Sequence, residues 1–184
     1  MMAVLEIIKM GHPTLRQEAA RYPAGKIGST EFLAMIADMR ETMYAARGIG
    51  LAAPQVDIPY QVAVIEIPDT ATRYGEMPAL PFAVYINPAI TVVSEESAGY
   101  WEGCLSVPGM MGYVERPQHI RVDYLDEHGD SQSLEATGFA ATVFQHEFDH
   151  LHATLYVDRI KDTKLFVFED EYYKYHEGEP VLKE

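Results

Sequence analysis

The 184-residue chain has one cysteine, Cys104, so it can close no internal disulfide and cannot supply a four-cysteine zinc site. It is also short of positive charge, with 14 Lys plus Arg against 28 Asp plus Glu and a formal net charge of −14. That imbalance argues against direct binding to nucleic acid or to an anionic membrane, both of which attract basic surfaces. No apolar run approaches the roughly 18–20 residues needed to span a bilayer. The start, MMAVLEIIKMGHP, lacks a basic segment followed by an apolar one, so no signal peptide is expected. With a lone thiol and no targeting segment, a reducing, cytoplasmic setting is the expectation. Repeats, low-complexity tracts and Ser/Gly linkers are missing too. What is present, 48% hydrophobic and 23% charged residues, is the balance of one globular domain. Residues 1–162 read as that single domain. Residues 163–184 read as an acidic, aromatic tail rather than an independent domain, with six acids and two lysines over 169–184, and a loose attachment is expected.

A first helix is expected over roughly 30–47. Ser29 or Thr30 can cap its first turn, Phe32, Ile36, Met39 and Met43 share one face, and Gly48 can end it. The middle of the chain is different. Gln61–Ile67, Phe82–Ile86, Ala89–Val93 and Ile120–Leu125 are short and rich in β-branched and aromatic residues, with Pro81, Pro88, Pro108 and Pro117 between or after them. Asp126-Glu127-His128-Gly129-Asp130 reads as a hairpin turn into Ser131–Ala136, and short strands joined by tight turns favour antiparallel pairing. Helical spacing returns at Phe139–Leu151. Strands and helices segregated in this way indicate an α+β fold.

The string His146-Glu147-Phe148-Asp149-His150 carries the most chemistry. At about 100° per residue, His146 and His150 lie about 40° apart on one helical face, one turn from each other, so both rings can reach one metal ion. Glu147 projects about 100° round from His146, where a carboxylate could take a proton from a water on that ion. A bare H-E-x-x-H also arises by chance, and a buried histidine is often only a satisfied core residue. Here Phe144, Phe148, Leu151 and Leu155 fall within about 60° of one another on the opposite side. They satisfy the core and leave the histidines free. A third ligand is then required. Cys104, within Glu102-Gly103-Cys104-Leu105-Ser106, is one candidate, since a thiolate binds zinc or ferrous iron well. Its bland alternative is a small buried hydrophobe. Glu169 or Glu171 in the tail is the rival third ligand. The stretch Gly48-Ile49-Gly50-Leu51-Ala52-Ala53-Pro54-Gln55 offers a backbone that can be approached closely and an uncharged amide donor, although a helix-ending glycine loop would look similar.

Together the strings GIGLAAPQ (48–55), EGCLS (102–106) and QHEFDH (145–150) resemble the three signature blocks of peptide deformylase, complete and in order. The resemblance runs from about Val4 to Lys161 and includes HPTLR near the start and LYVDRI (155–160). It implies antiparallel sheets packed around a central metal-binding helix. The implied activity is metal-dependent hydrolysis of the formyl group from the N-terminal formyl-methionine of newly made polypeptides, releasing formate. Cys104, His146 and His150 would be the metal ligands, with water in the fourth position attacking the formyl carbon. Glu147 would be its general base, and Gln55 and the backbone N–H of Leu105 would be donors to the oxyanion. Gly50 would hold substrate backbone, and Val143, which projects between His146 and Glu147, is placed as a wall of the methionine pocket. Glu102 and Arg116 would form an ion pair bracing the cysteine loop. Asp149 could orient a ligand histidine or a nearby cation.

The implied cofactor is one divalent ion, with Fe2+ favoured and Zn2+, Ni2+ or Co2+ able to substitute. The implied partners are N-formylmethionyl nascent polypeptides and, transiently, the ribosome, although a tail this acidic suits rRNA phosphates poorly. Two alternatives stand beside this reading: a zinc endopeptidase using a tail glutamate, and a silent member that only binds peptide N-termini. Intact Glu147, Gln55 and Cys104 argue against the second. One departure from the family pattern is Ala153, where glycine is usual, and it bears on how the helix ends.

Overall fold

The computed structural model describes residues 3–68 and 79–177. Among these, the chain forms an antiparallel six-stranded sheet with two main helices and a short third one, the α+β architecture that the segregated pattern predicts. The first helix, α1 (Thr30–Ala45), is capped as expected, with the Ser29 hydroxyl accepting from the Phe32 N–H at 3.1 Å. Phe32, Ile36, Met39 and Met43 are buried along its inner face. Its end differs from expectation. Arg47, not Gly48, takes the left-handed conformation (φ +55°), and the Gly48 N–H returns to the Met43 carbonyl at 2.9 Å. Gly48 serves packing instead, because a Cβ there would stand 3.0 Å from Leu105 Cδ1.

Strands β1 (Gly50–Ala52), β2 (Val62–Ile67), β3 (Leu80–Cys104), β4 (Val107–Leu125) and β5 (Ser131–Thr137) follow one another in the sheet in sequence order. Phe82–Ile86 and Ala89–Val93 prove to be parts of one long β3. The ladder is irregular between Ile86 and Ala89, where Asn87 has φ +51° and Pro88 has no N–H to give. The break that prolines suggest is thus a bulge. The hairpin over 126–130 forms as expected. The Asp126 carboxylate accepts from the N–H groups of His128 and Asp130, at 2.9 and 3.0 Å, and Gly129 supplies the positive φ.

The second helix, α2 (Gly138–Leu151), lays Ala141, Phe144, Phe148 and Leu151 against Ile65, Tyr85, Ile120 and Val122 of the sheet. Leu155 departs from the predicted apolar stripe. The helix has ended by then, and Leu155 packs with Cys104, Val107, Val114 and Tyr156. The ending uses Ala153 at φ +58°, with the Thr154 N–H donating to the Asp149 carbonyl at 3.0 Å. That left-handed position is where glycine is favoured.

Beyond residue 162 the chain is held more closely than its composition suggests. Phe166–Phe168 forms β6, paired with Met110–Gly112 of β4. The short helix α3 (Glu169–Tyr175) sets the Tyr172 ring 5.1 Å from that of Trp101, and His176 lies 5.4 Å from the same ring. Residues 178–184 of the expected tail lie outside the described residues. Among those described, no helix is long and apolar enough to cross a membrane.

Candidate metal centre

The three signature strings come together because β3 ends at Cys104, β1 runs beside β2, and α2 crosses the sheet with His150 turned toward the end of β3. Cys104 Sγ lies 3.4 Å from His150 Nε2. The His146 and His150 rings are 5.3 Å apart, centre to centre, and one donor atom from each of the three residues fits within a 4.8 Å group. A tetrahedral ion with ordinary metal–sulfur and metal–nitrogen bonds of about 2.3 and 2.0 Å places such donors roughly 3.5 Å apart. The donor set therefore fits a divalent metal in both spacing and chemistry. Among the described residues this is the group of His, Cys and acids that meets the spacing, and neither Glu169 nor Glu171 belongs to it.

His146 is held from behind. His146 Nδ1 lies 2.7 Å from Glu102 Oε2. A carboxylate accepts only, so Nδ1 carries a hydrogen and Nε2 is the nitrogen left to serve the site. Glu102 is in turn gripped by Arg116, whose Nε and second terminal nitrogen donate at 2.6 and 3.0 Å. The ion pair expected from the sequence is thus buried, and Arg116 is only 2% exposed. The Asp149 carboxylate is turned to arginines rather than to a histidine. It accepts from Arg116 at 2.8 Å and from Arg159 at 2.5 Å through two nitrogens.

The protonation preferences follow from this packing. Burial tends to raise the Glu102 carboxyl, but the His146 and Arg116 hydrogen bonds outweigh it and hold it below the ordinary range. Burial would lower His146, yet the sulfur of Cys104 and the Glu102 carboxylate hold it well above its usual value. His150 is pushed well below, by burial first and then by the positive His146 and Arg116.

Glu147 is 6% exposed and lines the same cavity as Gly50, Gln55, Cys104 and Leu105. The Ala52 N–H donates to Gln55 Oε1 at 2.9 Å. This orients the amide so that Nε2 faces inward, 3.5 Å from Cys104 Sγ and 3.2 Å from Ser106 Oγ. Val143 also lines the cavity, together with Phe139 and Thr142. Sequence reasoning assigned no role to Ser106, Phe139, Thr142 or Arg159. Ser106 stood inside a quoted motif and Arg159 inside LYVDRI, so only their contacts were hidden.

Comparison with known proteins places the chain among relatives of one family. The polypeptide deformylase family profile matches residues 4–166. A peptide deformylase of Leptospira biflexa is 45% identical over 170 residues, covering 92% of this chain and 95% of that protein. Peptide deformylase 1 of Nitrosomonas europaea is 42% identical over 164 residues, 89% of this chain and 92% of its own. Among solved structures, a class I type b peptide deformylase from Acinetobacter baumannii with bound Met-Ala-Ser superposes with a TM-score of 0.81 at 36% identity, over 87% of this chain and 100% of that one. The Synechococcus elongatus enzyme in complex with actinonin gives 0.77 at 37%, over 96% and 91%. With its three motifs gathered at one cavity and these relatives matched along most of their length, the chain belongs to the polypeptide deformylase family, enzymes that remove the N-formyl group from nascent polypeptides.

Proposed function

We propose that Cys104, His146 and His150 hold the divalent ion and that Glu147 is the general base of formyl hydrolysis. The observation that carries this is the 3.4 Å approach of Cys104 Sγ to His150 Nε2 beside the buried Glu147 carboxylate. When bound, the ion supplies the electrophile that polarises the formyl carbonyl and acidifies a water. Glu147 takes a proton as water oxygen adds to the formyl carbon. It returns that proton to the methionine nitrogen as the C–N bond breaks and formate leaves. The Gln55 Nε2 amide and the Leu105 backbone N–H face the oxygen that gains negative charge, where fixed donors lower the barrier most. Gly50 presents strand backbone to the peptide, and Val143 forms a wall for the methionine side chain. Glu102 and Arg116 support the ligand set.

Ferrous iron is the proposed native ion, with zinc, nickel or cobalt as substitutes, because the donor set accepts all four. The proposed substrates emerge from the ribosome, so action in the cytoplasm, with at most a transient ribosomal contact, follows from this reading. Residues 1–162 are proposed as the catalytic domain. The test combines elemental analysis of anaerobically purified protein with formate release from formyl-Met-Ala-Ser. Glu147→Ala should retain one ion per chain and lose activity by about 100-fold or more. Activity surviving in that variant removes Glu147 from its role.

A further inference from the structure

The network behind the ligands does not stop at Arg116. Glu102, Arg116, Asp149 and Arg159 form an unbroken line of alternating charge. It starts at His146 Nδ1 (2.7 Å from Glu102), passes through Arg116 (2.6 Å to Glu102, 2.8 Å to Asp149) and ends in the two-pronged grip of Arg159 on Asp149 (2.5 Å each). Arg116 is almost fully buried and the Asp149 side chain is 10% exposed, whereas Arg159 is 46% exposed. Arg159 is the member that opens to solvent, on a cleft bordered by Pro88, Ile90 and His152 on the far side of α2 from the catalytic cavity. Its position is built rather than incidental. Asp158 accepts from the Leu155 N–H at 2.8 Å, which fixes the turn that aims Arg159 back at the helix.

We propose that Arg159 is a positioning residue for the metal centre, acting on His146 through Asp149, Arg116 and Glu102. The inference rests on the ligand assignment above. The physical reason is charge sharing. Two carboxylates flank one buried guanidinium, and in low dielectric each competes for it. Arg159 neutralises Asp149 from outside, which commits Arg116 to Glu102. Glu102 is then held in the place where it orients the His146 ring. No comparable support stands behind the other histidine, because His150 Nδ1 is buried with no partner among the described residues. Glu102 is thus the route by which the surroundings set ligand orientation, and partners behind metal ligands commonly change affinity or activity by about 10- to 100-fold.

The test uses the full-length protein loaded with zinc, comparing Arg159→Met with Arg159→Lys. Arg159→Met should release zinc to a chelator about 3- to 10-fold faster, at or below the lower end of that range because it lies three residues further back than Glu102. It should lower kcat by a similar factor while leaving KM for formyl-Met-Ala-Ser unchanged. Arg159→Lys, which keeps the charge but not the two-pronged contact, should recover part of both losses. Wild-type release from the Met variant overturns the inference. So does release from the Lys variant as fast as from the Met variant, because packing rather than charge would then be at work. If the wild-type chain holds no stoichiometric zinc, or Cys104→Ala holds it equally well, the ligand assignment fails and this inference falls with it. Zinc held by Cys104 but indifferent to Arg159 overturns this inference alone.

Discussion

Gly50 and Glu147 touch so closely that any side chain at the first position must displace the second. A Cβ on Gly50 would lie 2.6 Å from Glu147 Cγ and 2.5 Å from its Cδ. The strand that the peptide is proposed to follow and the carboxylate proposed as base therefore share one van der Waals surface. Gly50→Ala should push the carboxylate aside with the sheet intact. A displacement of about 1 Å costs on the order of 100-fold in rate, so kcat for formate release should fall by about that factor while the metal content stays at one per chain. Unchanged kcat would place the reacting carboxylate elsewhere.

Val143 is 5% exposed and lines the cavity beside His146 and Glu147. If it walls the methionine pocket, Val143→Asp should raise KM for formyl-Met peptides by at least about 10-fold, since an unpaired buried carboxylate opposes an apolar side chain. An unchanged KM in steady-state assays would show that methionine binds elsewhere.

Ala153 is held at φ +58° where α2 ends. A left-handed conformation costs an L residue about 1–2 kcal/mol, and glycine avoids this at some entropic cost in the unfolded chain. Ala153→Gly should therefore stabilise the protein by about 0.5–1 kcal/mol, read as a raised melting temperature, with metal binding and kcat unchanged.

The Glu102 carboxyl is held low by His146 and Arg116 against the upward pull of burial. A depressed carboxyl stabilises the fold fully above its unfolded value of about 4.3. That contribution is lost as pH falls through the lower folded value. In metal-free protein, Glu102→Gln should thus be less stable than wild type by about 1.5–3 kcal/mol near pH 7, because Arg116 loses one of its two carboxylate partners. Denaturant titrations should show the gap closing below about pH 4. A gap that stays constant from pH 7 to pH 3 would mean that Glu102 carries no charge in the fold.

What the sequence revealed and what it hid divide along physical lines. Local, periodic information was readable. The Ser29 cap, the Asp126–Asp130 turn and the shared histidine face of α2 each depend on residues within a few positions of one another. The joining of three motifs at one cavity was legible through family resemblance. Spacing alone left Cys104 and the tail glutamates as rivals. Long-range pairing was hidden. Nothing local says that Arg159 grips Asp149, that Arg116 divides itself between two carboxylates, or that Gly50 is small for the sake of Glu147. Pro88 suggested a strand break where the sheet accommodates a bulge. A composition rich in acids concealed the Phe166–Phe168 strand, whose three apolar residues carry the attachment.

The approach of Cys104 to His150 has a consequence beyond catalysis. The two residues are 46 positions apart, and a chain with one cysteine has no disulfide with which to tie such a span. An ion held by the proposed ligands would tie it instead. Such an ion favours the folded arrangement and is released when the chain unfolds, so its stabilisation is set by its affinity rather than by the length of chain it spans, and the group proposed to equip the enzyme for hydrolysis would also fasten the end of β3 to α2.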